Sequence, residues 1–172
     1  MALKEIKIFG EPILRLKAAE VREFGEHWLP FIEDMFETCI QNDGAGLAAP
    51  QVGESIRMAV VYLPRENEDP LSLVVFNPVI LESEGEEAYE EGCLSLPALR
   101  EEVVRPQKIK LQYQDYFGRS QELEADGILA RVLQHEIDHL HGVLFIDHLS
   151  PVKKALLNGK LKKIAAGEIP QE

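Results

Sequence analysis

The segment His135-Glu136-Ile137-Asp138-His139 constrains this chain more than any other, because two histidines stand four residues apart around a glutamate. On a helix, residues four apart lie one above the other on the same face, so both imidazoles can reach one metal ion. Glu136 projects from the next position around the helix and can lie beside such an ion without binding it. The pattern is typical of metal-assisted hydrolysis, in which the glutamate handles the protons of the attacking water.

A helix around this pair is predicted by apolar residues that recur with a helical period from Ile128 to Leu140. Asp126 is a candidate N-cap, and Gly142 is placed to end the helix. The alternative is a buried helix that happens to carry two histidines. Two histidines and an acid are costly to bury without a partner, which favours a metal site.

Two histidines do not complete a metal site, because catalytic zinc-type sites usually take three protein ligands and keep a fourth position open. Five residues downstream of the pair are candidates: His141, Asp147, His148, Glu168 and Glu172. His141 is predicted to face away from the pair. Cys93 is the stronger candidate, because it stands beside a glycine in Glu91-Gly92-Cys93-Leu94-Ser95, where a thiolate can be exposed at a strand end or turn. The alternative interpretation is that Cys93 is a small, buried hydrophobic residue.

An earlier amphipathic helix is predicted between Leu29 and Ile40, with Cys39 on its apolar stripe and therefore buried. The segment directly after it, Gly44 to Gln51, is rich in glycine and alanine, so another backbone can come close. An extended peptide can pair with such a segment by strand addition, and the Gln51 amide can donate to a developing oxyanion. The simpler interpretation is a helix C-cap at Gly44 followed by a turn.

Three segments together resemble the peptide deformylase family: Gly44 to Gln51, Glu91 to Ser95, and Gln134 to Gly142. Their order and spacing match that family, and the resemblance covers nearly the whole chain. The His-Glu-x-x-His motif alone occurs in many hydrolases, whereas the three segments together are specific. The resemblance implies a metal-dependent hydrolase that removes the N-formyl group from the N-terminal formylmethionine of newly made polypeptides and releases formate.

The resemblance also implies roles for individual residues. The metal ligands would be Cys93, His135 and His139. The catalytic groups would be Glu136 as general base and acid, with Gln51 and the backbone N–H of Leu94 stabilising the oxyanion. The substrate backbone would pair with Gly44, Ala45 and Gly46. Glu91 and Arg100 would help to shape or order the site, and Ala45 stands where the family often has a bulkier aliphatic residue.

Helix geometry adds a hydrophobic pocket for the methionine side chain. Ile128, Arg131 and Val132 lie one and two turns before His135 on the same helical face. Arg131 would contribute its aliphatic stem while its charge reaches solvent.

A site of one cysteine and two histidines carries one negative charge and a soft ligand, which suits zinc and ferrous iron about equally. The resemblance points to one Fe²⁺ per chain, with Zn²⁺, Ni²⁺ or Co²⁺ as substitutes. Two alternative functions remain at this stage. A zinc endopeptidase with the same motif would need a downstream third ligand and would leave Cys93 and Gln51 without roles. A non-catalytic domain with a structural metal would usually close the site with four ligands.

Length and charge set the broad class. A chain of 172 residues is expected to form one domain over residues 1–172. Its net charge of −12 argues against nucleic-acid binding in general and specific DNA binding in particular. No signal-peptide pattern begins the sequence and no stretch approaches membrane-spanning length. With only two cysteines, a reducing, cytoplasmic location is expected, without contact with membranes.

Short strands are predicted between the motifs at 57–62, 73–76, 103–104 and 108–114. The last of these alternates cleanly, as a half-solvated antiparallel strand does. The expected fold is α+β, with mostly antiparallel sheets packed around the central helix that carries the histidine pair, followed by a C-terminal helix. Glu82 to Glu91, which contains six glutamates, is expected to form a solvated acidic loop or hairpin.

The C-terminal helix is predicted to begin at Ser150 as N-cap, with Pro151 in its first turn. Residues 151–172 carry five lysines against two glutamates on an otherwise acidic chain. A basic helix can steer a protein to a polyanion, and relatives in the family are thought to dock this helix on the ribosome. The alternative is a solvated amphipathic helix whose lysines face water.

Overall fold

The computed structural model describes residues 2–168. Its α-helices are α1 (Leu29–Gln41), α2 (Gly127–Leu140) and α3 (Pro151–Ala165). Its strands are β1 (Gly46–Ala48), β2 (Met58–Leu63), β3 (Leu71–Glu84), β4 (Glu87–Cys93), β5 (Leu96–Arg105), β6 (Lys108–Gln114) and β7 (Ser120–Asp126). Within residues 2–168, no helix has the length and apolar composition needed to cross a membrane.

Five of the strands form one antiparallel sheet in the order β1-β2-β3-β6-β7. The other two, β4 and β5, form a separate antiparallel hairpin. β1 therefore lies at an edge of the larger sheet, with β2 as its sheet neighbour. This edge becomes important because β1 belongs to the glycine-rich segment.

The core divides along the two faces of the larger sheet, because successive side chains of a strand point to opposite faces. On β2, Ala59 and Val61 pack into the cluster formed with α2, whereas Met58 and Val60 pack into the cluster formed with α1. A third cluster joins the hairpin to the C-terminal region through residues that include Val103 and Leu157. The α+β fold with antiparallel sheets around α2 and a C-terminal helix is confirmed.

Most predicted elements are present, with differences at their bounds. β6 spans the predicted residues Lys108–Gln114, whereas β3 extends well beyond the predicted 73–76. Asp126 lies at the N-cap of α2 but makes no side-chain capping bond. Ser150 caps α3 as predicted, its hydroxyl accepting from the Lys153 N–H at 3.2 Å.

The prediction of a solvated acidic loop or hairpin for Glu82 to Glu91 is correct for solvent exposure, since residues 82–90 are exposed, but wrong for conformation. These residues form the end of β3 and most of β4, and the two strands belong to different sheets. Exposed glutamates alternate poorly with apolar residues there, so the strand pattern was hidden in the sequence. The pairing of β4 with β5 supplies the backbone partners that the composition does not reveal.

Candidate active site

Two elements bring three potential metal ligands together. His135 and His139 project from α2 one turn apart, with their ring centroids 5.1 Å from each other. Cys93 ends β4, next to an irregularity in the hairpin pairing. Its Sγ lies 3.4 Å from Nε2 of His139. One ligand atom from each of the three residues lies within 4.8 Å of those of the other two.

The donor set fits a divalent transition metal. A thiolate and two imidazoles are ligands that zinc and iron accept, and three protein ligands leave a further position for water or substrate. Nδ1 of His135 is already bonded to Glu91 Oε1 at 2.8 Å, which leaves its Nε2 to face the other ligands. Such a carboxylate behind a ligating histidine fixes the tautomer and the ring orientation.

The surroundings shift the pKa values of His135 and His139 in opposite directions. Burial alone would lower the pKa of His135, but hydrogen bonds to Cys93 and Glu91 raise it well above its usual value. Burial, with the positive charges of His135 and Arg105, lowers the pKa of His139 well below its usual value. A neutral imidazole is the form that binds a metal, so metal binding here would displace the proton that His135 holds.

A buried network of charges lies behind His135. Burial would raise the pKa of Glu91, but hydrogen bonds from His135 and Arg105 lower it to about 2. Arg105 makes two bonds to Glu91, at 2.6 and 3.0 Å, and a third to Asp138 at 2.8 Å. His148 extends this network with a 2.7 Å contact to the same Asp138 oxygen. Glu91 is therefore held as a carboxylate against His135, a potential metal ligand, with only 6% of its surface exposed.

Glu136 lies beside the three potential ligands and is 4% exposed. Burial raises the pKa of its carboxyl group to about 7, against the lowering effect of His135. Among residues 2–168, its Oε2 has no hydrogen-bond partner in the protein. A carboxyl group with a pKa near 7 can both accept and release a proton near neutral pH.

The backbone of β1 passes directly over Glu136. A Cβ added at Gly46 would lie 2.7 Å from Glu136 Oε1 and 2.9 Å from Val132 Cγ1, closer than real side chains come. Glycine at this position is therefore what lets the edge strand approach the acid.

Gln51 reaches the site from the short helical turn after β1. Its Oε1 accepts from the Ala48 N–H at 2.9 Å, which fixes which end of the amide is the donor. Its Nε2 donates to Ser95 Oγ at 3.1 Å and contacts Cys93 Sγ at 3.6 Å. The amide donor therefore points toward Cys93.

A groove of about 680 Å³ passes over this constellation. Its walls include the residues predicted to act on or bind a substrate: Gly44, Ala45, Gly46, Gln51, Glu91, Leu94, Arg100, Ile128, Val132 and Glu136. They do not contribute equally. Glu91 turns its carboxylate to the buried network, and Arg100 is exposed and pairs with Glu90 at 3.0 Å on the rim. Ile128 is 51% exposed, whereas Val132 is 8% exposed.

The expected position of the Arg131 charge is wrong. Its guanidinium does not reach solvent but donates to Glu91 Oε2 at 2.6 Å, and only 7% of the side chain is exposed. Two of the downstream ligand candidates have other partners, His148 at Asp138 and Asp147 at Arg15. Asp147 pairs with Arg15 at 2.6 Å, while Glu172 lies outside the described residues.

Sequence reasoning missed the supporting residues Arg105, Asp138, His148 and Ser95. A signal existed for Arg105, because it shares the inward face of β5 with the buried Val103. A charged residue at an inward position of an alternating strand needs a buried partner. Nothing local to Ser95 or His148 predicts their contacts, since both partners come from other elements of the chain.

Comparison with known proteins identifies the family. The sequence model described as polypeptide deformylase matches residues 3–155. The chain belongs to the polypeptide deformylase family. The peptide deformylase of Brucella suis biovar 1 (strain 1330) is 46% identical over 167 residues, which cover 96% of this chain and 95% of that protein.

Solved structures agree with this assignment. The peptide deformylase of Thermus thermophilus is 43% identical, with a TM-score of 0.89 over 96% of this chain and 99% of that chain. The peptide deformylase of Ehrlichia chaffeensis in complex with actinonin is 39% identical, with a TM-score of 0.87 over 95% of this chain and 98% of that chain.

The family assignment decides between the functions left open by the sequence. Peptide deformylases are metal-dependent hydrolases that remove the formyl group from N-terminal formylmethionine, and this chain is an enzyme of that kind. The zinc endopeptidase is not favoured, and the non-catalytic domain is wrong. The substrates are formylated nascent polypeptides.

Proposed function

We propose that Cys93, His135 and His139 hold the metal ion at which this enzyme deformylates its substrate. The observation that carries the assignment is the mutual approach of one atom from each residue to within 4.8 Å. When bound, a divalent metal lowers the pKa of a coordinated water and polarises a carbonyl oxygen. The remaining steps fall to the protein's own groups.

Glu136 is the proton carrier in this proposal. Its carboxylate takes the proton of the attacking water and delivers it to the nitrogen of the leaving methionine, so that formate and a free amino terminus result. Two properties support the role: the side chain is buried, and its Oε2 has no partner among residues 2–168.

Gln51 and Leu94 stabilise the oxygen of the formyl group as negative charge develops on it. The orientation of the Gln51 amide is fixed by the bond that its Oε1 accepts from Ala48, which leaves Nε2 as the donor toward the site. Leu94 lies in the two-residue turn between β4 and β5 and lines the groove, and in this proposal its backbone N–H donates to the oxyanion. Donors held in place before the reaction cost no reorganisation during it.

The substrate backbone lies along β1 in this proposal. β1 is an edge strand, and Gly44, Ala45 and Gly46 line the groove. An extended peptide can add to such an edge through main-chain hydrogen bonds, which recognise any sequence. The proposal therefore explains how one enzyme can act on many different nascent chains.

The methionine side chain occupies the part of the groove bounded by Val132 and Ile128. Val132 is buried beside Glu136, which positions a methionine side chain next to the reacting formyl group. Glu91 and Arg100 shape this wall from behind and from the rim. The Ehrlichia relative was crystallised with actinonin, and we expect that compound to compete with formylmethionyl peptides here.

The ligand assignment is tested by metal analysis of Cys93→Ala, His139→Ala and Glu136→Gln, each purified anaerobically. Both ligand variants should retain far less than one metal per chain and should not turn over a formyl-Met peptide. Glu136→Gln should keep its metal. Full occupancy in either alanine variant would show that the residue is not a ligand.

We propose Fe²⁺ as the native metal, with Zn²⁺, Ni²⁺ or Co²⁺ able to replace it. A thiolate next to redox-active iron gives oxidation a route through the metal or through Cys93. The ferrous form should therefore lose activity in air faster than the nickel form of the same protein. Equal lifetimes would argue against this account of the metal.

We also propose that the enzyme works in the cytoplasm and that α3 docks it on the ribosome. A reducing compartment keeps the Cys93 thiol available, and the described lysines of α3, Lys160, Lys162 and Lys163 among them, are exposed. A basic patch on an acidic protein favours association with a polyanion over binding to other proteins.

A further inference from the structure

Arg131 is a buried cation that has no role in the proposed reaction. It lies on α2, one turn before His135, and is 6% exposed. Its guanidinium donates to Glu91 Oε2 at 2.6 Å and to the carbonyl oxygens of Val103 at 2.9 Å and Glu87 at 2.6 Å. The acceptors belong to β4 and β5, so one side chain ties the helix to both strands of the hairpin.

Arg131 donates to Oε2 of Glu91, whereas the proposed metal ligand His135 contacts the other oxygen, Oε1. Oε2 accepts from Arg105 Nε at 2.6 Å as well as from Arg131. Oε1 accepts from Arg105 Nη2 at 3.0 Å and contacts His135 Nδ1 at 2.8 Å. A carboxylate offers about four lone-pair sites, and here all are used. Glu91 therefore cannot turn away from His135 without breaking the bonds on its other oxygen.

Burial makes this arrangement rigid. Glu91, Arg105 and Arg131 are each less than a tenth exposed, and the ring of Tyr89 lies over the Arg131 guanidinium at 5.7 Å. Removing one partner from a buried ion pair leaves an uncompensated charge, which costs far more than losing an exposed pair. Glu90 and Arg100, on the same hairpin, form such an exposed pair.

We infer that Arg131 is a positioning residue of the metal site: it locks Glu91 against His135 and holds the strand carrying Cys93 against the helix carrying His135 and His139. The inference rests on the proposed ligands. Arg131 also lines the groove, so its aliphatic stem can bound the methionine pocket while its guanidinium holds Glu91. Partners behind a ligating histidine typically contribute about 10–100-fold to metal affinity or activity.

The test is Arg131→Met, which keeps the aliphatic stem and removes the guanidinium. The Co²⁺-loaded protein should release metal to a chelator at least about tenfold faster than wild type, with altered visible absorption of the cobalt–thiolate site. On a formyl-Met peptide, kcat should fall while KM stays within about twofold. Arg65→Met, which removes an exposed pair to Glu68 at 3.1 Å, is the control and should match wild type in every readout.

A double-mutant cycle tests the route through Glu91. If Arg131 acts by fixing that carboxylate, Arg131→Met should add little to metal release once Glu91→Gln is present. Fully additive effects of the two substitutions on metal release would show that Arg131 does not act through Glu91. Unchanged metal release in Arg131→Met with a raised KM would overturn the inference and leave Arg131 with a role in the pocket alone.

Two further measurements keep the outcomes separate. Arg131→Lys retains a charge but loses the planar fork, so it should also release cobalt faster than wild type even if the methionine variant fails to fold. Wild-type release by the lysine variant would overturn the inference. His139→Ala distinguishes this failure from failure of the ligand assignment, because only an incorrect ligand set would leave that variant with full metal.

Discussion

The helices α2 and α3 are of similar length but are used in opposite ways. α2 spans Gly127–Leu140 and is buried almost throughout, including charged and polar residues such as Arg131 and Glu136. α3 spans Pro151–Ala165, and its buried residues are Leu157 and Ile164. Val152 and Leu156 on its outer face are 71% and 77% exposed. One helix is surrounded by the protein, whereas the other lies on it.

The difference shows how a polar site can be built inside a core. One face of α2 presents Ala130, Leu133, Ile137 and Leu140 to the larger sheet. The opposite face presents Arg131, His135 and His139 to the hairpin, where each meets a charged partner or another potential ligand. Burying such groups is tolerable only because they are paired. α3 needs no such partners, because its lysines remain in water.

Glu136→Gln should have the largest effect of any conservative change on α2. The amide has nearly the same shape as the carboxylate but cannot accept and return a proton. We expect kcat to fall about 10²–10⁴-fold with the metal retained. Steady-state kinetics with a formyl-Met peptide, together with metal analysis, measures both effects. A nearly normal kcat would remove Glu136 from the mechanism and with it the functional contrast between the helices.

Glycine substitutions give a second contrast. A Cβ at Gly46 would lie 2.7 Å from Glu136 Oε1, so Gly46→Ala must displace the acid or the edge strand. Because small displacements of reacting groups can cost about 10²-fold, kcat should fall by up to that factor. In α3, a Cβ at Gly159 meets nothing within 4 Å. Gly159→Ala should instead raise the free energy of unfolding by about 0.5–1 kcal/mol, measured by urea denaturation, with normal kinetics.

Two valines test the pocket in the same way. Val132 is 8% exposed at the groove, whereas Val152 on α3 is 71% exposed. Val132→Trp should raise KM for formyl-Met peptides about tenfold or more, because the indole would fill space that the methionine side chain needs, and about 1.4 kcal/mol of lost binding is tenfold. Val152→Trp should leave KM unchanged. Normal kinetics in a folded Val132→Trp protein would move the methionine pocket elsewhere.

How much of the fold can be predicted from the sequence depends on how far apart in the chain the interacting residues lie. The α2 helix and its histidine pair are local patterns, and so is the N-cap of α3 at Ser150, which forms as expected. The strand β4 was missed because its glutamates carry no strand signal and its partner β5 decides its conformation. Local sequence patterns predict periodic elements well and long-range strand pairing poorly.

The candidate site divides in the same way. Cys93, Gln51 and Glu136 stand in recognisable segments and meet in the structure around one groove. Arg131 was misjudged because a charge on an amphipathic helix is normally assigned to solvent, and its partner Glu91 is 40 residues away. Arg105 and Asp138, 33 residues apart, escaped prediction for the same reason. Supporting residues interact through tertiary contacts that no local pattern contains.

The smallest expected effect on catalysis belongs to the lysines of α3. Reversing Lys160, Lys162 and Lys163 to Glu should leave turnover of a free formyl-Met peptide unchanged, since all three are exposed and absent from the groove. If α3 docks on the ribosome, the same variant should lose co-sedimentation with ribosomes at low salt, and the wild type should lose it only as salt screens the charges.

A charge-matched control separates docking from net charge. Reversing Lys17, Arg22 and Lys108, which are exposed outside α3, changes the total charge equally and should leave co-sedimentation intact. Lysines in the last turn of a helix also interact favourably with its dipole, by about 0.3–1 kcal/mol each, so thermal melting must show that the α3 variant is folded. Equal ribosome binding by wild type and both variants, or binding that ignores salt, would support the solvated amphipathic helix instead. In that case the role of α3 would be to pack Leu157, Leu161 and Ile164 against the core, in contrast to the buried polar site carried by α2.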